Sequence, residues 1–214
     1  MGVIFTVALL MVFFLSGMVS VEKKDIVFST SSASAVYDGK PLTNHTWRIS
    51  SGKLRDGHRA VVTFTGTQTS AGESPNTVEI KILDAAGADV TSDYNIRYDL
   101  GTLEVTPRRL EIRSSDASKI YNGTPLRSPD YTVEGKLVNG HKAIAIVTGS
   151  RTDIGISPNT IASAVILDRY GKDVTKNYAL VMTSGILTVT DANGNAGAGI
   201  PADPDHVLYT VYSD

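Results

Sequence analysis

The residues able to carry chemistry are few, and they come in pairs. His58 and His141 each follow a glycine, in GKLRDGH and GKLVNGH, so a metal ligand or a general base is the first role to weigh. A metal cage needs several ligands converging on one ion, and no second histidine stands at ligand spacing from either. They read as turn-capping or strand-end packing residues, with His45 and His206 exposed. Asp84 and Asp89 recur as Asp168 and Asp173 in a DxxGxD spacing that could lend two oxygens to Ca2+, an ion that takes roughly six to eight. The spacing is not that of an EF-hand loop, and the nearest extra ligand, Asp93, is replaced by Asn177 in the second occurrence. A hairpin in which these carboxylates bond their own backbone explains the pattern equally well and is the preferred reading. Lys53 and Lys136 with Asn76 and Asn159 are the residue types of an isopeptide crosslink, but spacing alone does not bring them together. Asn44-His-Thr46 and Asn122-Gly-Thr124 fit an N-glycosylation pattern.

The rest of the inventory excludes more than it offers. There is no cysteine, hence no disulfide, thiol nucleophile, Cys-ligated zinc or Fe–S cluster. Neither a P-loop nor a GxSxG elbow occurs. With 22 acidic against 20 basic side chains, the chain lacks the positive excess with which a nucleic-acid binder neutralises phosphates. No catalytic residue, cofactor or nucleic-acid partner is assigned. Asp38-Gly39, Asp56-Gly57, Asn122-Gly123 and Asn139-Gly140 are read as structural turns, of the type I′ kind that needs positive φ at both central positions. Asp38 is matched by Asn122 and Asp56 by Asn139, an exchange that keeps shape and discards charge, which a catalytic carboxylate could not tolerate.

These pairings belong to a tandem duplication. YDGKPL at Tyr37 recurs as YNGTPL at Tyr121, 84 residues on. FTGTQTSAGESPNT recurs as VTGSRTDIGISPNT, ILDAAGADVTSDY as ILDRYGKDVTKNY, and GTLEVT as GILTVT. Val78, Ile80 and Ile82 alternate with Glu79 and Lys81, the period of a strand with one buried face, and Leu103 and Val105 alternate likewise with Glu104. The chain is predicted to be all-β, two tandem β-sandwich-like modules at 25–107 and 108–190. The junction at Pro107 is too short for a flexible linker, so a semi-rigid rod is expected. SPNT at Ser74 and Ser157 reads as a loop entering a strand, with its Asn serving local backbone groups. The tyrosine pairs 37/121 and 94/178 read as core or corner residues. Trp47, with no aromatic counterpart, reads as buried, an exposed sugar-facing ring being the alternative.

The flanks differ. Residues 191–214 open as a linker rich in Gly, Pro and Asp, and His206 to Tyr212 alternates like the first strand of a further module or a strand that pairs with an edge. Segment 1–24 is read as an N-terminal hydrophobic helix. Residues 3–21 hold no ionisable side chain and would span about 28 Å as a helix, close to a hydrocarbon core. An uncleaved membrane anchor is the leading reading, a cleaved signal the next, and a buried core helix the third. The first two imply export. Lys23 and Lys24 pull the other way under the positive-inside bias, a contradiction that a basic leader upstream of Met1 would remove.

YDGKPL/YNGTPL, GxLxxGH, TGxxTxxGxSPNT, ILDxxGxDVTxxY and GxLxVTPR, in that order over residues 25–190, resemble the MBG or YDG-type repeats of bacterial cell-surface proteins, which are Ig-like or β-grasp-like modules of adhesin-like chains. The resemblance implies a non-enzymatic extracellular stalk or adhesion module, anchored or secreted, with a glycan or protein ligand. The alternative is a carbohydrate- or ligand-binding accessory module of a larger secreted protein, which would show an exposed aromatic cluster around Trp47, Tyr94 or Tyr98. An enzyme would need a pocket joining His58 to Asp84 or Asp89.

Overall fold

The computed structural model describes residues 22–197. The readings placed on residues 3–21 and on His206 to Tyr212 lie outside them. The described chain is all-β apart from two single 3-10 turns. Its first strands are β1 (Lys24–Thr30), β2 (Ala33–Val36), β3 (Trp47–Ser51), β4 (Arg59–Phe64), β5 (Gly72–Pro75), β6 (Val78–Leu83), β7 (Tyr94–Asp99) and β8 (Thr102–Thr106). After Pro107 come β9 (Arg108–Ser114), β10 (Ala117–Ile120), β11 (Tyr131–Gly135), β12 (Lys142–Val147), β13 (Gly155–Asn159), β14 (Ile161–Leu167), β15 (Tyr178–Thr183) and β16 (Gly185–Thr190). No helix of the described residues is long and apolar enough to cross a membrane.

The sheets are small. β1 lies between β3 and β7, β8 between β2 and β5, and β4 pairs β6; the later strands pair as β11-β9-β15, β10-β16-β13 and β12-β14. Sheets of two or three strands are marginal alone, so each must bury a face against another. Alternation supplies that face. Ile26 and Phe28 of β1 and Ile80 and Ile82 of β6 are buried and meet in one cluster with Tyr94, Ile49, Val62 and Ile96. Leu110, Ile166 and Tyr178 do the same further on, with Val133, Ala143 and Leu180.

The chain crosses between sheets by bending a parallel ribbon. β1 runs parallel to β7 and continues into β2, which runs parallel to β8. The bend brings Gly101 against Ser31 and Ser32 so closely that a Cβ there would overlap their peptide. Gly185 stands equally close to Ser114 and Ser115. At both bends a hydroxyl fills the gap: Gly101 N–H donates to Thr30 Oγ1 (3.0 Å), and Gly185 N–H to Ser114 Oγ (2.8 Å). Glycine is thus required by close approach.

The register corrects one reading. Trp47 pairs with Thr30 in β3–β1, and Tyr131 pairs with Ser114 in β11–β9, so Tyr131 is the aromatic counterpart that Trp47 was thought to lack. Four residues of mismatched loop sequence, 43–46 against 127–130, hid it.

Gly101→Ala and Gly185→Ala should each cost about 1–3 kcal/mol through overpacking against backbone that cannot yield. Urea unfolding of the two variants checks this; Gly87→Ala, whose Cβ would meet nothing within 4 Å but whose φ is +87°, gives the cost of backbone strain alone.

Candidate functional site

The recurring polar residues are consumed by the fold. Asn76 is fully buried, and its Nδ2 donates to the carbonyls of Ser31 (3.0 Å) and Asn44 (2.9 Å). Asn159 likewise donates to Ser115 (2.9 Å) and Ser128 (2.8 Å). These carbonyls lie more than 30 residues away, so the SPNT asparagine serves distant loops and not the local backbone groups expected of it. Its own carbonyl accepts from Thr30 Oγ1 (2.8 Å), and that of Asn159 from Ser114 Oγ. The preceding residues Ser74 and Pro75 lie inside β5, not in a loop. Gly66 and Gly149 of the TG motif pack directly against these asparagines, where a Cβ would collide with the Asn Cα. With both Asn76 N–H groups engaged and Lys53 exposed, the isopeptide pairing gains no support from the geometry.

The four Ca2+ candidates turn their oxygens on their own chain. Asp84 Oδ1 accepts from Ala88 N–H at 2.9 Å; Asp168 Oδ1 accepts from Lys172 (2.9 Å) and Tyr170 (2.8 Å). Asp89 Oδ1 takes the N–H of Thr91 and its hydroxyl, and Asp173 Oδ1 the N–H of Thr175. Those threonines then accept from the N–H of Ile82 and Ile166 (2.9 and 2.8 Å). Three of the carboxyls are held below the ordinary aspartate range: Asp89 and Asp173 chiefly by the threonine hydroxyls, Asp168 chiefly by Lys172 N–H. Among the described residues no group of three His, Asp or Glu side chains is placed to hold a metal. The same turn occurs a third time, unnoticed in the sequence, where Asp191 Oδ1 accepts from Asn193 and Asn195 in the stretch read as a linker.

The Asx-Gly pairs differ in backbone from the type I′ expectation. Gly39, Gly57, Gly123 and Gly140 have φ between 73 and 84°, whereas no other residue type among the described residues has positive φ. At Asp38 and Asn122 the side-chain oxygen accepts from the N–H two residues on, of Lys40 (2.9 Å) and Thr124 (3.1 Å). At Asp56 and Asn139 the bond is a backbone one, His58 to Arg55 (3.0 Å) and His141 to Val138 (2.9 Å). Only the third residue of each turn is left-handed, as in a type II turn.

Each histidine is paired with a tyrosine from a later strand. Tyr94 Oη lies 2.8 Å from His58 Nδ1 and accepts from Arg55 N–H (2.9 Å). Tyr178 Oη repeats this with His141 Nδ1 (2.8 Å) and Val138 N–H (3.1 Å). Each phenol oxygen thus joins a turn amide to an imidazole. Asp168 is near enough to His141 to be lowered by it, but both groups are already engaged elsewhere. One groove of about 410 Å³ is lined by Ser32, Ser34, Glu73, Thr102 and Glu104, away from His58 and Asp84.

The second His–Tyr pair is a socket. Tyr37 enters it from the first eight strands, its ring edge-on to Tyr178 at 5.6 Å and 6.2 Å from His141. Arg108 Nε donates to the Tyr37 carbonyl (2.6 Å), and Asn177 Oδ1 accepts from Ala71 N–H (2.8 Å). Burial raises the pKa of the Tyr37 hydroxyl, against a hydrogen bond from Asn177. Tyr37 is 6% exposed; Tyr121, expected to be equally buried, is 48% exposed. Trp47, read as buried, is 37% exposed, with its ring tilted over Phe28 at 5.7 Å. Tyr98 is also open and Tyr94 is buried. The outer side of β12 shows Ile144 and Ile146, where β4 shows Val61 and Thr63.

The chain matches no protein-family model and no curated protein.

Asn76→Ala and Asn159→Ala each orphan two half-buried carbonyls and should cost about 1–3 kcal/mol, read as a drop in the denaturant midpoint. Because the folded-state pKa values of Asp89, Asp168 and Asp173 are lowered, their contribution is complete above the unfolded aspartate value and disappears as pH falls through the folded ones. Thermal midpoints should therefore fall below about pH 4, and the triple Asp→Asn variant, which keeps the acceptor oxygens, should show a shallower acid decline.

Proposed function

We propose that the chain is a non-enzymatic protein of a bacterial cell surface, in which β1–β8 and β9–β16 are two copies of one β-sandwich-like module stacked end to end as a spacer or adhesive stalk. It is exported, tethered through residues 3–21 or released from them, and offers loops and strand edges to an extracellular glycan or protein. The observation that carries this reading is the joint. Tyr37 of one copy is buried in the His141–Tyr178 socket of the next, and a side chain so engaged holds two bodies in a fixed attitude. The polar residues that the copies share support it too, since the hydrogen bonds of Asn76, Asp84, Asp89 and their counterparts go to backbone groups and leave shape as their product.

Binding of a ligand by module 1 is the second reading, and the openness of Trp47 and Tyr98 favours it. The burial of Tyr94 narrows the aromatic surface to those two rings. A glycan and matrix-protein array separates the readings: signal abolished by Trp47→Ala supports an accessory binding module, and signal that survives it supports the stalk with its contacts elsewhere.

The stalk reading also fixes a mechanical outcome. Tyr37→Ala should loosen the joint and cost about 2–4 kcal/mol of cooperative stability. Small-angle scattering of the full chain should show one narrow set of lengths for the natural sequence and a broad one for the variant. Equal distributions for both would dismiss the rigid spacer.

A further inference from the structure

The hairpin β12–β14 departs from its counterpart β4–β6 on both faces. On the outer face of β4–β6 the cross-strand neighbours are Arg59 with Leu83, Val61 with Lys81 and Thr63 with Glu79. On β12–β14 they are Lys142 with Leu167, Ile144 with Val165 and Ile146 with Ser163. Three charged side chains have become one, and Ile144 and Ile146 stand 37% and 57% exposed. On the inner face the side chains shrink. Val62 opposite Ile80 is replaced by Ala145 opposite Ala164, and Phe64 by Val147. Ile80 is buried, whereas Ala145 and Ala164 are only half-buried.

The edge of β12 is open along the same stretch. Ile166 donates its N–H to Thr175 Oγ1 (2.8 Å) and accepts from Val174 N–H (2.9 Å), so its backbone groups face away from β12. Pairing alternates along an antiparallel ladder. Lys142, Ile144 and Ile146 therefore bond to β14, and the N–H and C=O groups of Ala143 and Ala145 point to the opposite side. There the Ala143 carbonyl receives the Tyr131 hydroxyl at 3.3 Å and keeps a second lone pair. No strand of the described residues pairs with that edge. Charged side chains are a common means of keeping such an edge unpaired; β4–β6 retains them and β12–β14 has lost all but Lys142.

We infer that His206–Tyr212 of this chain adds to the free edge of β12 as a third strand of that sheet.

Position, reach and pattern select this occupant. Gly197 lies against Ile154, whose Cγ2 a Cβ at Gly197 would meet at 3.9 Å, so the chain leaves the described residues beside the strand set whose edge is open. Gly149, just past β12, packs on Asn159 at the end of β13. The path from Ile154 along β13, across that contact and back to Ile146 is roughly 30 Å at about 3.3 Å per residue, and the direct distance is no longer. From Gly197 to His206 the chain can stretch up to about 32 Å. His206–Tyr212 contains no Asp, Glu, Lys or Arg, and places Val207, Tyr209 and Val211 on one side and Leu208, Thr210 and Tyr212 on the other. A strand apolar on both sides suits an edge with apolar surface on both faces. At β12 it meets Ile144 and Ile146 without, and the small Ala145–Ala164 step within. Beside β4 its outer side would meet Arg59, Lys81 and Glu79. In strand addition the main chain supplies the bonds and the alternate side chains choose the edge.

The test reads amide hydrogen exchange by NMR on the full 214-residue chain in mild detergent. The Ala145 N–H, for which the described residues provide no acceptor, should be protected. The Val62 N–H, its counterpart on the free side of β4, should exchange freely. Tyr209→Pro and Thr210→Pro in one chain remove two adjacent donors, of which one must face β12. This variant should abolish the protection of Ala145 and leave that of Leu110, in the central strand β9, unchanged. Ala145 exchanging as fast as Val62 would overturn the inference. Protection that outlives the two prolines, as a cover formed by residues 3–21 would give, overturns it too. So does protection that rises with protein concentration, the mark of a strand donated by another molecule.

Discussion

Two buried asparagine side chains hold together what the sheets cannot. A sheet of two or three strands leaves most of its backbone groups at an edge or in a connecting loop, and those that are buried need partners. Asn76 and Asn159 meet the need at the most congested point of each strand set, where the bend after β1 or β9 passes under the next loop. Each amide reaches two carbonyls from separate loops and takes a hydroxyl on its own carbonyl. The glycines around them follow from that choice. Gly66 and Gly149 let the Asn backbone in, and Gly101 and Gly185 let the ribbon bend around the hydroxyl of Thr30 or Ser114. The side chain is neutral and both its amide protons are engaged, while its Oδ1 is buried without a partner among the described residues.

The same economy applies to the carboxylates. An aspartate that accepts two N–H groups at the tip of a hairpin closes the turn and keeps its charge at low cost, because donors surround it. Such a residue is poorly placed to coordinate a cation as well, since the oxygen facing inward is spent. The chain uses this turn at Asp168 and Asp191, and with a single N–H donor at Asp84. Asp84 and Asp168 are each followed by an aspartate bonded to the first threonine of a 3-10 turn, and that threonine's hydroxyl accepts from β6 or β14.

The His–Tyr pairs illustrate how one local arrangement acquires different meanings from its surroundings. Both place an imidazole against a phenol that accepts a turn amide. One is covered by Tyr37, which gathers Val105, Leu110, Ile166 and Tyr178 into a core continuous across Pro107. The other has no aromatic plug, yet its Tyr94 is buried all the same. Aromatic edge-to-face contact, one guanidinium–carbonyl bond and one amide–amide bond make the covered joint directional, since each fixes a different axis.

The strands were legible in the sequence because alternation is a local property: Val78, Ile80 and Ile82 announce a buried face whatever packs against it. The duplication and the turn positions were legible as well, for glycine and Asx residues act on their own backbone. The turn type was not, since the sign of φ at Asp38 or Asn139 depends on how the flanking strands leave the turn. Nor was the role of Asn76, whose partners Ser31 and Asn44 are distant along the chain and adjacent only once the ribbon has bent. Tyr37 and Tyr121 make the division plainest. The letters around them are nearly the same, and composition offers no way to tell them apart. What separates a buried ring from an open one is whether a His–Tyr pair from another strand set arrives above it, and only the tertiary structure decides that.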